Sequence, residues 1–319
     1  MLDDIRKMPI TLIGLPYNYG TRVPTKTNSM CNGPLVLLKQ ENVPAAMAKE
    51  FDDIEVIMID DVDEPTARET GGDVRLLPAG DQMARQLVQS MRLATVLREA
   101  RSRGRLALAA IGTCSQALGM VGRVAEPDEE IGMIWLDCHG DAKTPDTTEN
   151  GYFEGMPVTT IAGQCWPRMR RKIPGFREIS EDRIISVGLH EQYTERARPG
   201  SGYAVGERVD KPVIEKFGFE SALTQALDRL ATRCKKVYVH VDVDVLDPTV
   251  LLPSYHTAPG GLTAEQLANA LTLISERLEI LSVAWAALDP TLDPKCLDVV
   301  VPLFVHSAKV TAQSTQRNG

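Results

Sequence analysis

Two apolar runs in this chain each end in a cluster of acids. Val237-Tyr238-Val239-His240-Val241-Asp242-Val243-Asp244 reads as a Val-rich strand, one face of which carries His240, Asp242 and Asp244. The run 131–134 leads into Trp135-Leu136-Asp137-Cys138-His139-Gly140-Asp141. Side chains alternate across a strand, so Asp137, His139 and Asp141 are expected to emerge on one side of the second strand's end and its loop. Strands this apolar lie inside parallel sheets, buried on both faces. A bare carboxylate there is strongly destabilising unless a cation or a hydrogen-bond network compensates it. Four aspartates on two such strands require cations, and two divalent ions fit that charge.

The remaining pattern supplies the sheet. Residues 8–15 read as a first buried strand ending in the turn-rich Pro16-Tyr17-Asn18-Tyr19-Gly20, Asn32-Gly33-Pro34 opens a helical stretch, and residues 54–59 read as a second strand. Residues 60–80, polar and rich in Gly and Pro, read as a surface loop. Met83, Leu87, Met91, Ala94 and Leu97 follow helical spacing, with Gly104 closing the helix before a strand over 106–111. The rhythm continues with strands at 131–134, 183–189 and 236–243, a helix bearing Leu223, Leu227 and Leu230, and a last strand over 280–288. Thr263 with Gln266 forms a capping box ahead of Leu267, Leu271, Ile274 and Leu278. Strands alternating with amphipathic helices imply an α/β fold, a three-layer α/β/α sandwich on a mostly parallel sheet, with ligands beyond the carboxyl ends of the strands. Without a repeat or a composition break, residues 1–319 are expected to form one domain, with a polar, frayed tail from about residue 308.

Composition narrows the partners. A net charge of −8 without a clustered basic stripe argues against nucleic acid or an anionic membrane surface. The apolar segments are shorter than a membrane span, and the acidic start Met1-Leu2-Asp3-Asp4 lacks the features of a secretory signal, so cytoplasm is the expected compartment. Six scattered cysteines without CxxC spacing indicate neither a zinc ribbon nor a disulfide framework.

With these motifs in place, the chain resembles the arginase and agmatinase ureohydrolases. Asp137-Cys138-His139-Gly140-Asp141 with Thr144-Pro145 resembles the family's DAHxDxxTP motif, and Asp242 to Pro248 its DVDxxDP motif. Gly155-Met156-Pro157, Gly260-Gly261-Leu262 and Gly33-Pro34 extend the likeness over roughly residues 10–290. The resemblance implies the three-layer fold, two Mn²⁺ ions, hydrolysis of a linear C–N bond in a guanidine or related amidine, and a trimer or hexamer. It implies that Asp137 and Asp242 bridge both ions, that Asp141 holds one, and that His139 and Asp244 hold the other. Paired cations lower the pKa of a shared water, and a neighbouring carboxylate can pass the proton to the leaving amine.

Three departures bear on substrate. Where the family has a metal-binding His, this chain has Cys114, whose thiolate is a softer ligand than Mn²⁺ prefers. Glu154 stands where the family's proton-shuttling or substrate-holding His is expected; the alternative for an isolated loop Glu is a solvated charge. Ala287 replaces the acid that pairs with a guanidinium. Lys143 lies where the family faces a substrate carboxylate, the alternative being an exposed loop lysine. His240 reads as a hydrogen-bonding neighbour of the cluster, Cys138 as core, and His190, His256 and His306 have no distinguishing spacing. The expectation is an amidinohydrolase acting on a guanidino or modified guanidino compound, such as an N-hydroxyguanidine, rather than plain L-arginine. The competing expectation is a non-catalytic descendant that keeps the fold for binding or assembly.

Overall fold

The structure, a computed structural model, describes residues 2–17, 29–60, 82–122, 124, 129–195 and 203–318. The loop readings at 18–20 and 61–80 lie outside them. The strands are β1 (Ile10–Leu15), β2 (Ile54–Met58), β3 (Leu106–Ile111), β4 (Ile131–Leu136), β5 (Ile184–Val187), β6 (Glu207–Val209), β7 (Lys236–Asp242) and β8 (Glu279–Ala286). They join one sheet in the order β2-β1-β3-β8-β7-β4-β5-β6. Every adjacent pair is parallel, so all carboxyl ends open on the same side.

Alternation along the strands splits the apolar residues between two cores. Leu12, Leu108, Ile134, Val239 and Val283 pack with Leu223, Leu271 and Phe304 from the helices Phe219–Ala231, Ala264–Arg277 and Cys296–Asn318. Ile13, Ala109, Met133 and Trp135 pack on the other face with Leu97 and Leu118, from the helices Gln82–Ser102 and Ala117–Val121. This is the three-layer α/β/α sandwich. The capping box forms as the sequence indicates, with Thr263 Oγ1 accepting from Gln266 N–H at 3.1 Å. Gly104 ends its helix at φ 72°. None of the described helices is long and apolar enough to cross a membrane.

Two sequence readings change. The three-residue β6 carries Glu207 and Arg208, too short and too charged for a periodic signal. The tail from residue 308 is not frayed: Cys296–Asn318 is one helix, in which Val310, Thr311, Ala312 and Ser314 are buried. Its polar residues turn their hydroxyls back to backbone, Thr311 Oγ1 donating to Ser307 O at 2.7 Å and Ser314 Oγ to Thr311 O at 2.7 Å. Ser314 Oγ also accepts from Ile280 N–H at 2.9 Å, tying the helix to the start of β8. Hydroxyls satisfied in this way pack as small core residues.

Candidate metal centre

The acids gather above the four central strands, β3, β8, β7 and β4. Cys114 begins a single 3₁₀ turn just past β3; Asp137 to Asp141 follow β4; Asp242 ends β7, and Asp244 sits in the next turn; Ala287 follows β8. The chain leaves β4 at Leu136, so the loop conformation rather than strand alternation brings Asp141 inward, at φ 44°. A Cβ at Gly140 would collide with the carbonyl of Tyr203, which packs directly on this loop. Val158 N–H donates to Asp141 O at 3.0 Å, and Lys143 N–H to Gly155 O at 2.7 Å, fixing the loop from its far side. The Cys114 turn is held by Gln86, whose Nε2 donates to Ser115 O at 2.9 Å and whose Oε1 accepts from Ser115 Oγ and Gln116 Nε2.

Three overlapping sets of donors result. The ligand atoms of Cys114, Asp137 and Asp141 lie within 4.8 Å of one another, as do those of Asp137, Asp242 and Asp244, and those of Cys138, His139 and Asp244. Cys114 Sγ donates to Asp242 Oδ2 at 2.8 Å. His139 Nδ1 stands 3.3 Å from both Asp137 Oδ1 and Asp244 Oδ2. Backbone amides complete the frame, His139 N–H donating to Asp137 Oδ1 at 2.6 Å and Asp244 N–H to Asp242 Oδ1 at 2.8 Å. Trp135 Nε1 donates to Asp137 Oδ2 at 2.8 Å. Among the described residues no lysine or arginine pairs with the four aspartates.

That absence shows in the electrostatics. Burial, then the charge of Asp244, pushes the Asp137 carboxyl up to about 6. Burial and then neighbouring acids raise Asp141 and Asp242 well above the carboxylate range. Burial also acts to raise Asp244, but the charge and hydrogen bonds of His139 outweigh it and hold this carboxyl low. The Cys114 thiol is raised by burial and then by Asp242. Three buried carboxylates and the half-buried Asp141, with one imidazole among them, are a donor set of the kind a divalent pair takes, so the residues fit the Mn²⁺ ions implied by the sequence motifs, the thiols being the softer exception.

Cys114, His139, Asp141, Asp242 and Asp244 floor a cavity of about 240 Å³ whose wall includes Glu154, Lys143, Glu191, His256, Tyr203, Tyr255 and Ala287. Glu154 is not a solvated loop charge. Its Oε2 accepts from Ser115 N–H at 3.2 Å, its Oε1 is buried without a hydrogen-bond partner, and burial raises its carboxyl. Lys143 is on the wall with Nζ 3.2 Å from Glu149 Oε2. Ala287 lines the cavity at φ 63°, with a methyl and no charge to offer. His240 stays behind the donors, stacked on Trp135 at 3.6 Å between ring centroids and 2.9 Å from the Tyr238 hydroxyl, and burial holds its pKa down to about 3. It therefore supports Asp137 through the tryptophan.

Sequence reading missed two histidines. His256 lines the cavity with its ring edge towards His139, centroids 6.4 Å apart. His190 is buried and clamps the wall, with Nδ1 2.6 Å from Gly188 O and Nε2 2.8 Å from Ala258 O. Both lie in loops, where periodicity carries no signal.

Comparison with known proteins bears on this arrangement. The Arginase family model matches residues 8–306. Arginase from Bacillus caldovelox is 27% identical over 231 residues, which cover 69% of this chain and 75% of that protein. Arginase-1 from Bos taurus is 29% identical over 183 residues, 54% of this chain and 55% of the relative, so the match spans about half of that relative's length. The crystal structure of arginase from Bacillus subtilis superimposes with a TM-score of 0.74 over 94% of this chain and 98% of that one, at 19% identity, a likeness of fold. A family match that takes in all eight strands and every donor residue described above establishes that the chain belongs to the arginase family.

Proposed function

We propose that this chain is a two-metal hydrolase that cleaves a linear C–N bond of a guanidino or modified guanidino compound, an N-hydroxyguanidine for example, in preference to L-arginine. The observation that carries the reading is the overlap of three donor sets, five of whose residues, Cys114, His139, Asp141, Asp242 and Asp244, line one cavity. Asp137 and Asp242 would hold both ions, Cys114 and Asp141 one, and His139 and Asp244 the other. When bound, a divalent pair lowers the pKa of water towards neutrality and polarises an amidine.

The chain's own groups do the rest. Glu154 lines the cavity from a half-buried position, and burial raises its carboxyl, which favours the form that carries a proton relative to an exposed Glu. That proton is available to the leaving amine, and the ionised form pairs with an amidinium. Asp141, at the cavity floor, is a second acid–base group. Lys143 can meet a substrate carboxylate by leaving Glu149. Ala287, on the same wall, offers a guanidinium no carboxylate at its own position, which disfavours plain arginine.

The test is a kcat/KM comparison of L-arginine, agmatine, guanidino acids and N-hydroxyarginine on metal-loaded protein, with metal content measured in parallel. A modified guanidine should rank first, and Asp137→Asn or Asp242→Asn should abolish bound metal. Arginine as the best substrate would sink the specificity, and two ions retained by either variant would sink the ligand assignment. Protein without divalent metal and inert on every guanidine would favour the binding or assembly role instead.

A further inference from the structure

Strand alternation assigns Cys138 to the face opposite Asp137 and His139, where it would be an apolar core thiol. Cys138 is buried as that reading expects, but β4 has already ended at Leu136, so alternation does not set where its side chain lies. It belongs to neither of the two apolar clusters that sandwich the sheet. Sγ lies within 4.8 Å of the ligand atoms of His139 and Asp244, and its backbone N–H donates to Asp244 Oδ1 at 3.2 Å. On the other side of the centre, Cys114 Sγ stands in the same relation to Asp137 and Asp141. The centre is thus two halves, each with one thiol, joined through Asp137, Asp242 and Asp244.

The geometry points to Cys138 as a second thiolate donor, on the His139 side, so that each half offers one sulfur and the pair selects zinc or cobalt over manganese more strongly than an all-oxygen-and-nitrogen centre does. This rests on the reading of the cluster as a two-metal site and adds a donor and a metal preference to it. Thiolate is the soft ligand among those present, and it favours Zn²⁺ and Co²⁺ over the harder Mn²⁺. Because zinc outbinds manganese at most sites of any composition, absolute affinity is not the test; the sulfur count and the zinc-to-manganese ratio are.

X-ray absorption of the zinc-loaded wild-type protein should give on average one sulfur per zinc. Half a sulfur per zinc, the count for Cys114 alone, or none, overturns the inference and needs no variant. In cobalt-loaded protein, thiolate-to-metal charge-transfer absorption should fall by about half in Cys138→Ser and again by about half in Cys114→Ser, each variant losing one of two equal donors. The zinc-to-manganese affinity ratio, measured by competition, should drop roughly tenfold in Cys138→Ser, and an unchanged band or ratio in that variant overturns the assignment. One sulfur per zinc in a protein inert on every guanidine would sink the amidine reading and leave this inference standing.

Discussion

At the scale of single residues, the groups that decide behaviour are acids held around the cavity with no lysine or arginine partner among the described residues. Glu154 is one of them, its carboxyl raised from 4.5 by burial. The folded protein then holds the proton more tightly than the unfolded chain, so the stability this group contributes is full in acid and is lost as pH rises from about 4.5 through the folded value. Glu154→Gln keeps the shape and removes the ionisation. In the metal-free state its Tm should fall less than that of wild type across that rise, and its turnover of a guanidine should fall by roughly 10²-fold or more if Oε1 supplies the proton. Unchanged turnover with an unchanged pH profile would reduce Glu154 to packing. The aspartates were legible in the sequence because a carboxylate at the end of an apolar strand persists only with a cation or a hydrogen-bond network to compensate it. His256 was not, because it lies in the loop before Gly260 where no period exists.

At the scale of elements, spacing alone located most strands and the main helices, since each buries one face and so repeats its apolar residues at its own period. The C-terminal helix escaped because Ser307, Thr311 and Ser314 count as polar in such a pattern while the structure buries all three with satisfied hydroxyls. That difference is measurable. Deleting residues 308–319 exposes apolar surface under Val310 and Ala312 and removes the Ser314 acceptor of Ile280 N–H. Full burial of one Val is worth about 1.5–3 kcal/mol, and a hydrogen bond about 1 kcal/mol more. The truncated protein should therefore lose at least about 2.5 kcal/mol in urea unfolding. A loss below about 1 kcal/mol, the range of ordinary surface changes, would restore the frayed tail.

At the scale of the whole molecule, no local pattern could reveal that β8 and β7 insert between β3 and β4. That insertion is what makes the centre, because it sets the loop after β3 across from those after β4 and β7, bringing together donors far apart in the chain. The cost of holding these acids side by side is therefore carried by the entire sheet, and metal should act as a global stabiliser. Without metal, Asp137 rises from 3.8 to about 6, so its contribution to stability is present in acid and lost as pH climbs through that window. Raised Asp141, Asp242 and His139 act in the same direction, whereas Asp244 and His240, both held low, oppose them. Metal binding has the opposite slope, since protons compete for the same donors. The gap in Tm between metal-loaded and chelator-treated protein should accordingly widen from about pH 4 to neutrality, reaching the equivalent of about 2.7 kcal/mol when free metal is 100 times Kd. Asp242→Asn should abolish the gap while itself raising the Tm of the metal-free form at neutral pH, because a buried, repelled carboxylate has gone. A metal-independent Tm in wild type, or a gap that narrows as pH rises, would mean that the acids are balanced by something other than bound cations.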